Sequence, residues 1–101
     1  MPIQNFADRT AADVFHNINS KDARKVPQDV WSPARRRLAL LNSAHDLRDL
    51  SQPGLMLEPL KHNRPGFYSM RITLRYRIIF RFEGGNAYDV SIENYHGRTT
   101  S

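Results

Sequence analysis

The chain has 101 residues, 40% of them hydrophobic, which is enough for one modest core and one domain and too little for two. It has no cysteine, no apolar run near the ~20 residues of a membrane span and no signal-peptide pattern at its N-terminus, which together suit a cytoplasmic protein without disulfides, thiolate chemistry or a cysteine zinc cluster. Fifteen Lys and Arg stand against ten Asp and Glu, a net +5; twelve of the fifteen are Arg, whose fork matches phosphate, so a polyanionic partner is expected.

In chain order, Pro2 to Phe6 can form a short opening strand. Thr10-Ala-Ala-Asp13 resembles a capping box, and Ala11, Val14, Phe15 and Ile18 then recur at helical spacing. Asn17 to Val26 is polar and turn-like. Ser32-Pro33 reads as an N-cap followed by proline at the first helical position, with Trp31, Ala34, Leu38 and Leu41 as the buried stripe of a second helix ending near Ala44. Arg35, Arg36 and Arg37 fan around that helix and read as a solvated face. Ser51-Gln-Pro-Gly54 is a turn. Leu55 to Gly66 is a long connection, and long irregular connections often carry function.

Three strands follow. Tyr68, Met70 and Ile72 alternate with polar neighbours, as do Tyr76, Ile78, Phe80 and Phe82, and, after Gly84-Gly85, Tyr88, Val90 and Ile92. The pattern predicts an α+β fold: two N-terminal helices on one face of a small antiparallel sheet, the other face polar and rich in Arg.

Register follows from matching the apolar faces, because a one-residue slip turns every side chain over. The Gly84-Gly85 hairpin then pairs Phe82 with Tyr88, Phe80 with Val90 and Ile78 with Ile92, setting Arg81 by Asp89 and Arg77 near Glu93 as ordinary ion pairs. The preceding hairpin pairs Met70 with Ile78 and puts Arg71 directly opposite Arg77 on the solvent side. Like charges so placed are unfavourable. They form either an anion clamp, most simply for a phosphate, or two splayed, hydrated arginines.

From Leu57 to His96 the run "LEPLKHNRPGFYSMRITLRYRIIFRFEGGNAYDVSIENYH" resembles the second half of the HigB toxins, of the RelE-like superfamily of type II toxin–antitoxin systems. The helix "ARRRLALLNSAHDLRDL" and the Pro-Gly turn after it fit as well. The specific pieces are Pro-Leu-Lys before an Arg-x-Gly turn, a Ser-x-Arg-Ile strand, an aromatic-Arg-Ile strand and the terminal Tyr-His. The resemblance implies a RelE-like microbial RNase fold spanning residues 1–101, with 97–101 a polar tail. It also implies an endonuclease that cuts mRNA in the ribosomal A site and is silenced by a helix-turn-helix (HigA-like) antitoxin. Its active-site positions fall on Lys61, Tyr95 and His96. Glu58 stands where some members have histidine, and Asn94 where aspartate is common.

RNA carries its own nucleophile, the 2′-hydroxyl. A metal-independent RNase therefore needs a base for that hydroxyl, an acid for the departing 5′-oxygen, and cations for the charge building on phosphorus. His96 suits acid or base work near neutrality. Tyr95 can stack on a base or donate to phosphate. Glu58 has the place of a base, and Lys61, Arg64, Arg71 and Arg77 supply positive charge. Taken without the resemblance, Tyr95-His96 is a half-exposed strand end, Lys61 is surface, and Glu58 is its salt-bridge partner. His16 and His45 receive no role. No histidine–carboxylate grouping has metal-ligand spacing, so neither metal nor other cofactor is expected. Two readings from different classes follow: the endoribonuclease, and a catalytically weakened module of the same fold that occupies RNA or antitoxin. A DNA-binding role lacks a recognition helix after a tight turn.

Overall fold

The computed structural model describes residues 1–60 and 64–94. Among these, helix α1 spans Arg9–Phe15 and α2 Gln28–Ser43, and four strands, β1 (Glu58–Pro59), β2 (Phe67–Arg71), β3 (Tyr76–Glu83) and β4 (Asn86–Asn94), pair antiparallel in that order. Both helices lie on one face of the sheet, α1 against α2 and β4, α2 against β3. This is the expected α+β layering.

The helix starts differ from the sequence reading. Asp8, not Thr10, caps α1: its Oδ1 accepts from the Ala11 N–H at 3.1 Å. Thr10 and Asp13 are buried inside the helix, Asp13 accepting from the Ser20 hydroxyl at 2.6 Å. Asn17 takes a left-handed φ of 60° and turns the chain, so Ile18 leaves the stripe and is 49% exposed.

Helix α2 begins a turn before Ser32-Pro33 and carries Pro33 inside it. An interior proline forfeits the bond to the carbonyl four residues back. Burial of Val30 and Trp31 in the first turns offsets the loss, and the indole Nε1 donates to the Val26 carbonyl at 2.8 Å. Farther along, Leu38 and Leu41 are wholly buried. Nor is the arginine triplet merely solvated: Arg35 donates to Asn17 Oδ1, Arg36 to Ser32 Oγ, and Arg37 to the Arg71 carbonyl.

The sheet holds a strand that the alternation pattern does not place. Glu58 and Pro59, inside the long connection, pair with Ser69 and Tyr68 of β2. Between β2 and β3 the predicted register holds, Met70 with Ile78 and Arg71 with Arg77. Between β3 and β4, Ile78 meets Ile92 and Arg77 meets Glu93 as expected, but the ladder shifts between Ile79 and Arg81. Asp89 takes φ 53° there, so Asp89 and Val90 together oppose Phe80, a bulge that reverses the alternation. Phe82 consequently pairs with Ala87, and Tyr88 turns to the other face beneath the Arg81 guanidinium, 4.6 Å from ring centre to Cζ. Alternation alone carries no sign of a bulge.

The opening segment runs parallel to β4 through isolated bridges, Ile3 to Ala87 and Phe6 to Val90, rather than as a full strand. It covers an edge that would otherwise be open. Asn5 clasps the bulge: its Nδ2 donates to Asp89 Oδ1 at 2.9 Å, and the Asp89 N–H donates back to Asn5 Oδ1 at 3.1 Å. The Asn5 amide first, then Arg81, holds the Asp89 carboxyl below the usual carboxylate range. A carboxyl lowered on folding stabilises the protein above its unfolded pKa, near 4, and that contribution is lost as pH falls through the lower folded value. Asn5→Ala should therefore cost about 1 kcal/mol at pH 7, and urea titrations should show the gap to the unmodified protein narrowing by pH 3. An equal gap at both pH values would separate the clasp from Asp89 ionisation.

Candidate active site

Strand register builds the site. On the face away from the helices, Glu58, Ser69, Ile79 and Ser91 stand in one cross-strand row, and Arg71, Arg77 and Glu93 in the next. Ser69 is small, so the floor it shares with Ile79 stays low. A cleft of about 270 Å³ opens above it, walled by Glu58, Arg64, Arg77, Glu93 and Asn94. That volume is just under the ~300–1,000 Å³ usual for ligand sites.

Four of the residues singled out from sequence, Glu58, Arg64, Arg77 and Asn94, thus share one cleft. Arg71 stands beside it. Lys61, Tyr95 and His96 lie outside the described residues.

Arg77 departs from expectation. It is on the anticipated face and not under the helices, yet it is only 4% exposed, because the chain from Met56 to Glu58 lies over it. Its Nη2 donates to the Met56 carbonyl at 2.7 Å and lies 3.6 Å from Glu58 Oε2. Arg71 meets the same residue, its Nη1 2.9 Å from the Met56 sulfur. The two facing arginines are therefore spanned by Met56, whose φ of 48° is rare for a side chain of that size. Such backbone strain collects at functional positions. Nothing in the sequence marks a methionine for this conformation.

Glu93 is the second departure. Its carboxylate is gripped by Arg64, Nη1 to Oε1 and Nη2 to Oε2 both at 3.2 Å, and accepts the Ser91 hydroxyl at 3.0 Å. Arg64 also lies over the Phe67 ring at 5.1 Å. Arg81 keeps Asp89, Nε to Oδ2 at 3.2 Å, and adds Glu83. The ionisable residues described in the cleft are thus two arginines and two glutamates, whose formal charges cancel. Arg77 is thus already engaged by the Met56 carbonyl and approached by Glu58. Among the described residues no group of three or more His, Asp or Glu can hold a metal ion.

A model of the "RelE-like toxin of type II toxin-antitoxin system HigB" family matches residues 4–96. The chain belongs to this HigB-like toxin family. It is 35% identical to the protein named Endoribonuclease HigB of Proteus vulgaris over 71 residues, 70% of this chain and 77% of that one. It is 30% identical to Toxin HigB-1 of Vibrio cholerae over 76 residues, 74% of this chain and 80% of the relative. An uncharacterized Haemophilus influenzae protein is 26% identical over 70 residues. Membership in a type II system implies an antitoxin partner for this HigB-like chain. No helix among the described residues is long and apolar enough to cross a membrane.

Proposed function

We propose that this HigB-like chain is an endoribonuclease that cuts mRNA on the ribosome, in the cytoplasm, by activating the 2′-hydroxyl beside the scissile phosphate. The observation that carries this reading is the shared cleft. Glu58, Arg64, Arg77 and Asn94 line it, and the remaining expected groups are their neighbours in sequence, Lys61 close after Glu58 and Tyr95-His96 directly after Asn94.

In this mechanism a phosphate enters at Arg77 with Arg71 and Arg64 alongside, and Lys61 adds the positive charge that the described cleft residues balance to zero. Glu58, its side chain 54% exposed, takes the 2′-hydroxyl proton. His96 delivers a proton to the leaving 5′-oxygen, Tyr95 stacks on a base, and Asn94 orients the pair by hydrogen bonding. No bound metal is required, because base, acid and cations are all side chains. A helix-turn-helix antitoxin silences the toxin.

Glu58 has two consequences in this scheme, and they separate. Glu58→Gln removes the base and also frees Arg77 from a carboxylate. RNA affinity should rise, by no more than about fivefold because the carboxylate of the pair is half in solvent, while the cleavage rate falls about 10²–10⁴-fold. Binding to a short RNA and single-turnover cleavage on programmed ribosomes measure the two. Tighter binding without slower cleavage would remove Glu58 as base. The weakened-module alternative is tested in the same assay: it gives arrested ribosomes on intact message, whereas the nuclease gives new 5′ ends.

A further inference from the structure

We propose that the outward face of α2, with the Asn17–Asn19 turn beside it, is a second RNA-binding surface that seats the protein on the phosphate backbone of ribosomal RNA. The cleft, on the other side of the sheet, stays turned to the message. This rests on the ribosomal reading above.

The observation is how the arginines are partnered. Around the sheet they meet carboxylates: Arg64 holds Glu93, Arg77 lies near Glu58, and Arg81 has Asp89 and Glu83. On the helical side the partners are neutral. Arg24 Nη1 donates to Asn19 Oδ1 at 3.0 Å, Arg35 Nη1 to Asn17 Oδ1 at 3.1 Å, and Arg36 Nη1 to Ser32 Oγ at 2.9 Å. From Asn17 to Arg36 five Lys and Arg stand against two carboxylates. Of these two, Asp22 is taken by Lys25 at 3.2 Å, and Asp29 lies in the first turn of α2.

A neutral acceptor fixes where a guanidinium points and leaves its charge uncompensated, with further N–H groups for a phosphate. A side chain already held also loses less entropy on binding. The turn made by Asn17, at φ 60°, presents both amides, so one turn orients two arginines. Shape agrees with charge. Val30, Trp31, Ala34, Leu38 and Leu41 bury the inner side of α2, and Ser32, Arg36, Ala39 and Ser43 form its exposed ridge. Three of those four are small, which lets a phosphate backbone reach Arg36 without a clash. A protein interface instead depletes charge at its centre and seats aromatic or Met anchors. Here the exposed large apolar side chain is Ile18.

Three double variants of equal net charge test the proposal. Asn17→Asp with Asn19→Asp keeps both arginines and gives each a carboxylate. Arg24→Gln with Arg35→Gln removes them. Arg48→Gln with Arg75→Gln lowers the charge equally elsewhere. None of these positions is buried, and Asp tolerates a left-handed φ, so all three should melt close to the unmodified protein. Binding to small ribosomal subunits carrying no message should weaken about tenfold or more in the first two and less than about twofold in the third. The slope of log affinity against log salt should fall by about 1.5 when Arg24 and Arg35 are removed. Failure of the unmodified protein to bind subunits, unchanged affinity in the first two variants, or equal losses in all three would overturn the proposal. So would a loss of antitoxin affinity with subunit binding intact, which would assign the face to a protein partner. Subunit binding without cleavage of any message would sink the endoribonuclease reading and leave this surface standing.

Discussion

His96→Gln should leave a folded protein and remove about 10²–10⁴ of the cleavage rate, roughly 3–5 kcal/mol of barrier. The substitution keeps hydrogen-bonding capacity and abolishes proton transfer near neutral pH. Folding should survive because the last described core side chains, Val90 and Ile92, precede this position, and Asn94 still pairs with Tyr76. For the same reason a chain ending at Asn94 should fold and bind its antitoxin while losing toxicity. Removing 97–101 alone should change little. Growth arrest, thermal melting and cleavage by the same preparations check this together. Full toxicity in a folded His96→Gln variant would reduce the Tyr-His pair to a strand end.

Arg77→Met is expected to combine a stability loss with a loss of function. The side chain is almost wholly buried, and its removal leaves the Met56 carbonyl without the Nη2 donor and Glu58 without a cation 3.6 Å away. A hydrogen bond from a charged donor is worth about 1.5–3 kcal/mol, which should appear in urea unfolding. Cleavage should fall at least about 10²-fold, because the group facing the developing phosphate charge is gone. Arg81→Met is the control. Arg81 is occupied by Asp89, Glu83 and the Tyr88 ring, away from the cleft, so cleavage should persist. Equal losses from Arg77 and Arg81 would point to general charge rather than a placed cation.

The fold was legible where side-chain alternation alone decides the outcome. Met70, Ile78 and Ile92 share a core face, and that match alone is sufficient to place Arg71 against Arg77. It failed where the backbone leaves regular geometry. Asp89 in a left-handed conformation shifts β4 by one residue and sends Tyr88 to the other face. Pro33 suggested a helix start because proline favours that position, but burial of Val30 and Trp31 extends the helix a turn earlier. The two-residue strand at Glu58–Pro59 is too short for any periodicity.

Lys61, Tyr95 and His96 remain expectations outside the described residues; for the others a shared cleft was readable and its pairing was not. Glu58, Arg64, Arg77 and Asn94 were singled out from sequence, and they line one cleft. That Glu93 would close on Arg64, and Glu58 approach Arg77, depends on where the connection folds back over the sheet. Sequence spacing within strands says nothing about that. Ser69 had a visible signal, a small polar residue opposite the apolar face, whose meaning as a cleft floor emerges once β1 is in place.

The chemistry of the cut ends is the most direct test. A reporter message is translated in the presence of the protein, and the new fragments are mapped and their termini identified. Attack by the neighbouring 2′-hydroxyl leaves a 2′,3′-cyclic phosphate or its hydrolysis product on one fragment and a 5′-hydroxyl on the other. That pair of ends is the expected result, absent with the His96→Gln protein. A 5′-phosphate and a 3′-hydroxyl at the cut, or stalled ribosomes on uncut message, would contradict it.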